Sequence, residues 1–294
     1  MRIGVAGLGR MGAALAARLG ELGHDLAVWN RSADKAKPLI EAGAQAATSP
    51  AELAGKVEAI ITILTDADAI DTVYRGEAGV LAADLSGKLI IEMSTVQPET
   101  EIALAEDVRR RGGAFVECPV GGTVMPARTG KLLGLAGGED ADVARARPIL
   151  EGLCRRVEHL GPVGVGASMK LAINLPLLVS YQALGEAVTL CRHLGHDPKW
   201  LMELFADTSG GPNILKVRGP AIAEALSGGN PAPAFDIGSI RKDLRTMLAE
   251  AKKLGASLPL AERTLAVFDE ASQEGWDERD GASLPAFWPG RAAR

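Results

Sequence analysis

Within its first twelve residues the chain carries Gly7-Leu8-Gly9-Arg10-Met11-Gly12, and this hexapeptide restricts the fold more than any other feature. Residues 3–6 before it read as a short buried strand. Residues 11–22 after it show apolar spacing of helical period, and 26–29 read as a second buried strand. In that setting each glycine has a physical task. Gly7 admits the tight turn, Gly9 lets the backbone approach a pyrophosphate, and Gly12 lets helix and strand pack closely. The helix N-terminus then offers N–H groups and a positive dipole end to phosphate. The chain has 35 glycines, so the motif alone would be weak. The strand–loop–helix–strand context makes it a dinucleotide loop built from Gly7, Leu8, Gly9, Arg10, Met11 and Gly12.

The end of the second strand selects the dinucleotide. A carboxylate there would hydrogen-bond the ribose 2′-hydroxyl of NAD. The chain instead reads Trp29-Asn30-Arg31-Ser32, with Lys35 one turn on. No acid repels a 2′-phosphate; Arg31 can offer a planar fork of donors, Ser32 a hydroxyl and Lys35 a charge. The expectation is NADP(H) in preference to NAD(H). A solvated surface arginine is the alternative for Arg31.

Strand and helix continue to alternate. Residues 59–64, 89–92 and 114–118 are further strands, and 98–111 is a helix ending at Gly112-Gly113. Alternation of this kind implies a doubly wound parallel sheet with helices on both faces. Past about Gly161 the pattern changes. Residues 167–191 are almost continuously apolar, with Lys170 and Glu186 the charged exceptions. The chain then reads as helical, punctuated at Gly210-Gly211-Pro212 and Gly228-Gly229-Asn230-Pro231. The expected organisation is an α/β domain over 1–164, a long buried helix, and an all-α domain over 165–294. The segment Phe287-Trp288-Pro289-Gly290-Arg291 reads as a loose tail.

The apolar run is about long enough to span a bilayer, but Lys170, Asn174, Pro176, Gln182 and Glu186 fall inside it. A buried inter-domain or subunit-interface helix is the better reading. Its apolar surface exceeds what one small helical domain covers, which predicts a homodimer or homotetramer. With 32 Lys+Arg against 37 Asp+Glu the net charge is −5, which gives no footprint for nucleic acid or an anionic membrane. Three cysteines are an odd, sparse set and suit a reducing compartment. Met1 leads directly into a strand, so no signal peptide is expected and the location reads as cytoplasmic.

Lys170 and Asn174 stand four residues apart, on one helix face, among apolar neighbours. Lysine is rarely buried unless paired or functional. Desolvation would lower its pKa and make it a proton donor near neutral pH. A lysine at a helix start that snorkels to water is the alternative.

Four separated segments together resemble the β-hydroxyacid dehydrogenase family, which includes 3-hydroxyisobutyrate dehydrogenases and glyoxylate/succinic semialdehyde reductases. They are the glycine loop; Ser94-Thr95-Val96-Gln97-Pro98-Glu99-Thr100, similar to S-T-V-x-P-x-T; Glu117-Cys118-Pro119-Val120-Gly121-Gly122-Thr123, similar to D-A-P-V-S-G-G; and Gly164–Asn174, similar to G-x-G-x-x-x-K-x-x-x-N. Lys242-Asp243 sits where the family carries a Lys-Asp pair. The resemblance implies a Rossmann domain and hydride transfer to the carbonyl of a small carboxylic acid. It places the nicotinamide near Leu64, Thr65 and Thr95, and Lys170 and Asn174 in the catalytic role. It assigns substrate contacts to Ser94, Thr95, Gly121, Gly122, Thr123, Lys170 and Asn174, with Lys242 closing over cofactor or substrate. Pro126-Ala127-Arg128-Thr129-Gly130-Lys131-Leu132 is similar to the P-A-x-x-G-x-L of the semialdehyde-reductase branch.

One departure stands out. Gly121 takes the place of the family's usual serine, whose hydroxyl would help bind carboxylate, and Thr123 offers a hydroxyl two positions on. Glu117 replaces the usual aspartate. An imine reductase or reductive aminase is the competing enzyme class; it shares the architecture but typically lacks the lysine. A non-catalytic dinucleotide-binding module is a third class. No metal site is expected: Cys191, His193 and His196 match no zinc spacing, and Asp66, Asp68 and Asp71 suit a helix N-terminus. Cys118 and Tyr181 read as packed residues.

Overall fold

The computed structural model describes residues 1–209, 211 and 214–290. The chain packs as two compact units, Met1–Leu171 and Ala172–Arg294. This boundary lies seven residues beyond the 164/165 expected from composition. The first turns of the long helix belong to the α/β unit because their amides are bound there, as described below.

The first unit alternates β1 (Arg2–Ala6), α1 (Arg10–Glu21), β2 (Asp25–Trp29), α2 (Lys37–Glu41), β3 (Gln45–Ala46), α3 (Pro50–Lys56), β4 (Ala59–Thr62), α4 (Ala67–Arg75), β5 (Leu89–Glu92), α5 (Pro98–Arg110) and β6 (Ala114–Glu117). Local chemistry sets these boundaries. Ser49 caps α3 by accepting from Glu52 N at 3.0 Å, with Pro50 at the first helical position. Asp66 caps α4 through Ala69 N at 2.8 Å. The strands run in the order β3-β2-β1-β4-β5-β6, all parallel. Residues adjacent along a strand enter opposite cores: Ile61, Ile91 and Val116 pack on one face, Ile60, Ile90 and Phe115 on the other. Both faces are therefore covered by helices, which is why the strands are apolar throughout.

The sheet does not end at β6. After β7 (Val120–Gly121) and the short α6 (Val124–Arg128), β8 (Leu132–Gly138) lies antiparallel to both β6 and β7. The 14-residue α7 (Asp140–Leu153) then leads to β9 (Cys154–Gly161), parallel to β8. The expected parallel sheet is present from β3 to β6, and β7, β8 and β9 extend it through antiparallel pairings of β8 that the sequence reading did not include. β8 reads Leu-Leu-Gly-Leu-Ala-Gly-Gly, and glycine weakens strand propensity. Its glycines are explained by neighbours: a Cβ at Gly134 would press on the Cys118 and Cys154 sulfurs, and one at Gly137 on the Glu117 carboxyl. β4 stops at Thr62, two residues earlier than expected, because Leu64 N is taken by the Ser94 hydroxyl at 2.7 Å.

The helix α8 (Val165–Cys191) continues across the unit boundary. The second unit adds α9 (Pro198–Ala206), α10 (Ile214–Leu226), α11 (Ile237–Lys253), α12 (Pro259–Gln273) and α13 (Leu284–Phe287). Its pairing includes α9 on α10 and α11 on α12. Asp280 is fully buried at its centre. It pairs with Arg218 and accepts from the backbone N–H of Ala234, Phe235 and Ala282. Tyr181 is core, as expected. The expected loose tail is instead packed: Leu284 and Phe287 are buried, Phe287 meets the Trp276 ring edge-on at 5.1 Å, and Arg192 donates to the Pro289 carbonyl at 2.6 Å. Arg291 lies outside the described residues, as do Gly210 and Pro212 of the expected breaker.

The long helix is less buried than its composition implies. Leu171, Leu178, Tyr181, Leu184 and Val188 point into the protein. Met169, Ile173, Pro176, Ala183 and Leu190 are exposed at alternating spacings of three, four and seven. Residues 165–194 are apolar and long enough to cross a membrane by length and composition, with 44% of the most apolar window buried inside the protein.

Candidate functional site

Strand order reverses between β1 and β4, and in open α/β sheets ligands bind beyond the carboxyl ends of the strands at such a reversal. The glycine loop leaves β1 at that point. Gly7 adopts φ +92°, and its N–H donates to the Trp29 carbonyl at 3.1 Å. A Cβ at residue 12 would collide with the Gly7 carbonyl oxygen, so helix and loop close only over a glycine. A Cβ at residue 9 would meet no atom within 4 Å, and no side chain caps α1 at Gly9. The open cradle therefore lies over the helix N-terminus, and the residues present fit a pyrophosphate there.

Asn30 works inward. Its Oδ1 accepts from Leu8 N at 2.8 Å and its Nδ2 donates to the Ser32 carbonyl at 3.0 Å. It ties the end of β2 to the glycine loop and so fixes the loop's shape. Arg31, Ser32 and Lys35 are exposed immediately beyond it, beside the loop.

Ser94, expected among the substrate contacts, is 1% exposed. Its hydroxyl donates to Glu92 and accepts from Leu64 N, and its own N–H donates to Glu92 Oε2 at 2.7 Å. It is a strut beneath Leu64 and Thr65. Thr65 is exposed and Thr95 half-buried. In the loop after β6, Gly121 lies in β7 opposite Leu133, Gly122 is exposed, and Thr123 begins α6 without capping it.

Lys170 and Asn174 are 8% and 7% exposed on the same face of α8. In the second unit Asn174 Nδ2 donates to Asp243 Oδ2 at 3.2 Å, and Asp243 Oδ1 pairs with Lys242 Nζ at 2.6 Å. Asp243 is 3% exposed. It orients both expected site residues, a function that the Lys-Asp spacing marks but does not define.

Sequence reasoning missed a cluster of three fully buried carboxyls, Glu92, Glu101 and Glu117. No salt bridge reaches any of them among the described residues. Glu92 and Glu117 are side-by-side partners at the ends of β5 and β6. Burial raises Glu92 despite hydrogen bonds from Ser94. Burial, then the Glu92 charge, holds Glu101 well above the carboxylate range. Neither Glu101 oxygen meets a protein donor, so Glu101 is the protonated member and donates to Glu92. Burial pushes Glu117 up to about 7, against the opposing pull of three backbone N–H groups. Thr62 lies between the Tyr74 hydroxyl at 2.7 Å and Glu92 Oε1 at 3.4 Å. Cys118 and Cys154 are buried thiols raised by desolvation, which makes them inert packing residues.

Known proteins agree with this geometry. Residues 2–161 match the NAD binding domain of 6-phosphogluconate dehydrogenase, and residues 164–287 the NAD-binding of NADP-dependent 3-hydroxyisobutyrate dehydrogenase. Glyoxylate/succinic semialdehyde reductase 1 of Arabidopsis thaliana is 34% identical over 284 residues, 97% of each chain. The 3-hydroxyisobutyrate dehydrogenase of Pseudomonas aeruginosa is 33% identical over 279 residues, covering 92% of this chain and 94% of that protein. The chain belongs to the β-hydroxyacid dehydrogenase family. Among solved structures, Psf3 in complex with NADP+ and 2-OPP superimposes with TM-score 0.86 at 27% identity, covering 97% of this chain and 99% of that one. Members of the family are NAD(P)-dependent dehydrogenases and reductases acting on CH–OH, and this chain is one of them.

Two outcomes follow from this geometry. Gly12→Ala overpacks the loop and should destabilise the protein by about 1–3 kcal/mol. Gly9→Ala should leave the melting temperature within about 1 °C and weaken only dinucleotide binding, read by NADPH fluorescence titration. For the acid cluster, an acid with a raised folded-state pKa takes up a proton on folding. Such groups cost no stability below the unfolded value of 4.5 and progressively more as pH rises through about 7. Glu101→Gln keeps the donor to Glu92 and needs no proton. Its Tm by calorimetry should rise on the order of 3 °C at pH 8 and stay at the wild-type value at pH 5.

Proposed function

We propose that this enzyme reduces the carbonyl of a small aldehyde or keto acid with NADPH, and in reverse oxidises a 3-hydroxyacid. The observation that carries the reading is Lys170: a lysine only 8% exposed, in the second turn of α8, one turn from Asn174. Relatives named as glyoxylate/succinic semialdehyde reductases and as a 3-hydroxyisobutyrate dehydrogenase support the substrate class.

When bound, the nicotinamide supplies the hydride. The protein's task is to stabilise the negative charge that then grows on the carbonyl oxygen. Lys170 Nζ neutralises that charge and delivers the proton, and in the oxidative direction takes it back. Asn174, held by Asp243, orients the substrate's oxygens. Backbone N–H groups around Gly121, Gly122 and Thr123 hold its carboxylate, with Thr95 beside them. Lys242 adds positive charge for the anionic ligands, tempered by its ion pair with Asp243. Leu64 and Thr65 would border a bound nicotinamide, and the Ser94 hydroxyl accepts from Leu64 N beneath them.

The preference for NADP(H) rests on Arg31, Ser32 and Lys35. Asn30 fixes the loop beside them, and no carboxylate occupies the end of β2. A solved relative holding NADP+ agrees. The three cysteines are all free, and the location proposed is the cytoplasm. The partners are a small carboxylic-acid carbonyl compound and a second copy of the chain, with neither nucleic acid nor membrane involved. The exposed stripe of Met169, Ile173, Ala183 and Leu190 repeats near the seven-residue period at which two helices pack together. Glu186 in the same helix is exposed as well, which disfavours lipid.

A second reading, reductive amination or imine reduction, draws on Gly121, which removes a hydroxyl from the carboxylate anchor.

Glyoxylate and succinic semialdehyde should be turned over with NADPH at least tenfold more efficiently than with NADH. Lys170→Ala should lower kcat by about 10²–10⁴. Full rate in that variant would sink the lysine mechanism, and faster turnover of a cyclic imine than of either aldehyde acid would favour the second reading. Light scattering at micromolar concentration should give a dimer or tetramer, and Leu190→Glu should shift it toward monomer.

A further inference from the structure

Glu117 takes no part in the reaction proposed above, yet its surroundings are built to a fine tolerance. It ends β6 and is fully buried. Its Oε1 accepts from Gly164 N at 2.6 Å and Gly166 N at 2.9 Å, and its Oε2 from Ala167 N at 3.2 Å. These amides open α8, the helix that carries Lys170 one turn later. The first amides of a helix have no partner within it and carry the positive end of its dipole. A carboxylate from another element here replaces the missing cap. Space has been cleared for it: a Cβ at Gly137 would collide with Glu117 Oε1, and a Cβ at Gly166 would stand 3.2 Å from it.

We propose that Glu117 is a positioning residue for Lys170: its ionised carboxylate pins the first turn of α8 and so fixes where the lysine ammonium meets the substrate oxygen. This rests on the reading of Lys170 as the proton donor. The physical case is the count of bonds. An ionised carboxyl can accept all three N–H groups, whereas a protonated one must surrender an acceptor position, and the longer bond from Ala167 is the first to go. Two carboxyl groups interact with Glu117 from the elements packed on it, and Glu92 is the charged one. Glu92 lies beside it on β5, and Glu101 reaches it from α5. From α8 itself only backbone N–H groups, those of Gly166 and Ala167, meet it. On the β8–β9 side, His159 bonds to the carbonyls of Gly138 and Gly161. Burial and the Glu92 charge together bring Glu117 to about 7, so the pin loosens as pH falls below neutrality.

The experiment compares wild type with Glu117→Gln, both as full chain with saturating NADPH. The amide nearly preserves shape but presents a donor where Ala167 N–H needs an acceptor. The expected result is a kcat at least tenfold lower, loss of its acid limb near pH 7, and an NADPH KM within twofold of wild type. Amide hydrogen exchange over 164–171 should rise at least tenfold while that of 98–110 is unchanged. A folded variant that keeps wild-type kcat with its acid limb, or wild-type exchange over 164–171, overturns the proposal. Should the variant not fold, the wild type decides: on NMR titration the amides of Gly164, Gly166 and Ala167 move together with a midpoint near 7, and amides that do not titrate refute it. If wild type reduces no aldehyde acid, the functional reading fails while exchange and titration still judge Glu117. If Lys170→Ala loses rate and Glu117→Gln does not, the positioning inference alone fails.

Discussion

A buried carboxyl without a cation beside it is the constraint around which the α/β unit is arranged. Three of them, Glu92, Glu101 and Glu117, sit below the carboxyl ends of β5 and β6, and the protein satisfies them with backbone N–H groups, hydroxyls and one shared proton. Buried charge is tolerable only when so bonded. Each partner is part of an element that bears on the candidate site. Ser94 supports Leu64, and the amides of Gly164, Gly166 and Ala167 begin the helix of Lys170. The cluster thus ties the segment after β4, the segment after β5 and the start of α8 into one rigid support. Its cost is a stability that falls as pH rises.

The dinucleotide loop is stabilised differently. It relies on absent side chains, with Gly7 giving the turn and Gly12 the close packing, and on a single amide, Asn30, that bonds across from β2. Ser94 is expected from the resemblance to touch substrate, and Asn30 adjoins the residues expected to touch a 2′-phosphate. In the folded protein both point inward and hold the residues that face outward. The same holds in the helical unit, where Asp243 sits behind Asn174 and Lys242. Preorganisation by a supporting layer is what lets a few polar groups act without rearrangement.

Much of this was legible. The strand–loop–helix–strand start, the three parallel strands β4, β5 and β6 that follow the same alternation, the long helix, and the buried lysine four residues before an asparagine all follow from local periodicity and turn chemistry. Residues 120–161 were not legible, because glycine-rich β8 has weak strand propensity and pairs with β6, β7 and β9 for reasons of clearance. The tail was misread because Leu284 and Phe287 find their partners only in the tertiary packing.

What the sequence determined by itself is whatever neighbours within a few residues dictate: the glycine loop, the caps at Ser49 and Asp66, the helical face shared by Lys170 and Asn174, and the absence of an acid at the end of β2. What only the tertiary structure decided is the role of the acids. Glu92 and Glu117 are 25 residues apart in the chain, and Glu117 is 47 from Gly164. A carboxyl's charge state depends on what is brought around it in space, and its solvation is lost only when β5, β6, α5 and α8 have come together. Sequence spacing carries no record of that desolvation, which is why Glu117 reads as a minor substitution and stands in the fold as the anchor of the lysine-bearing helix.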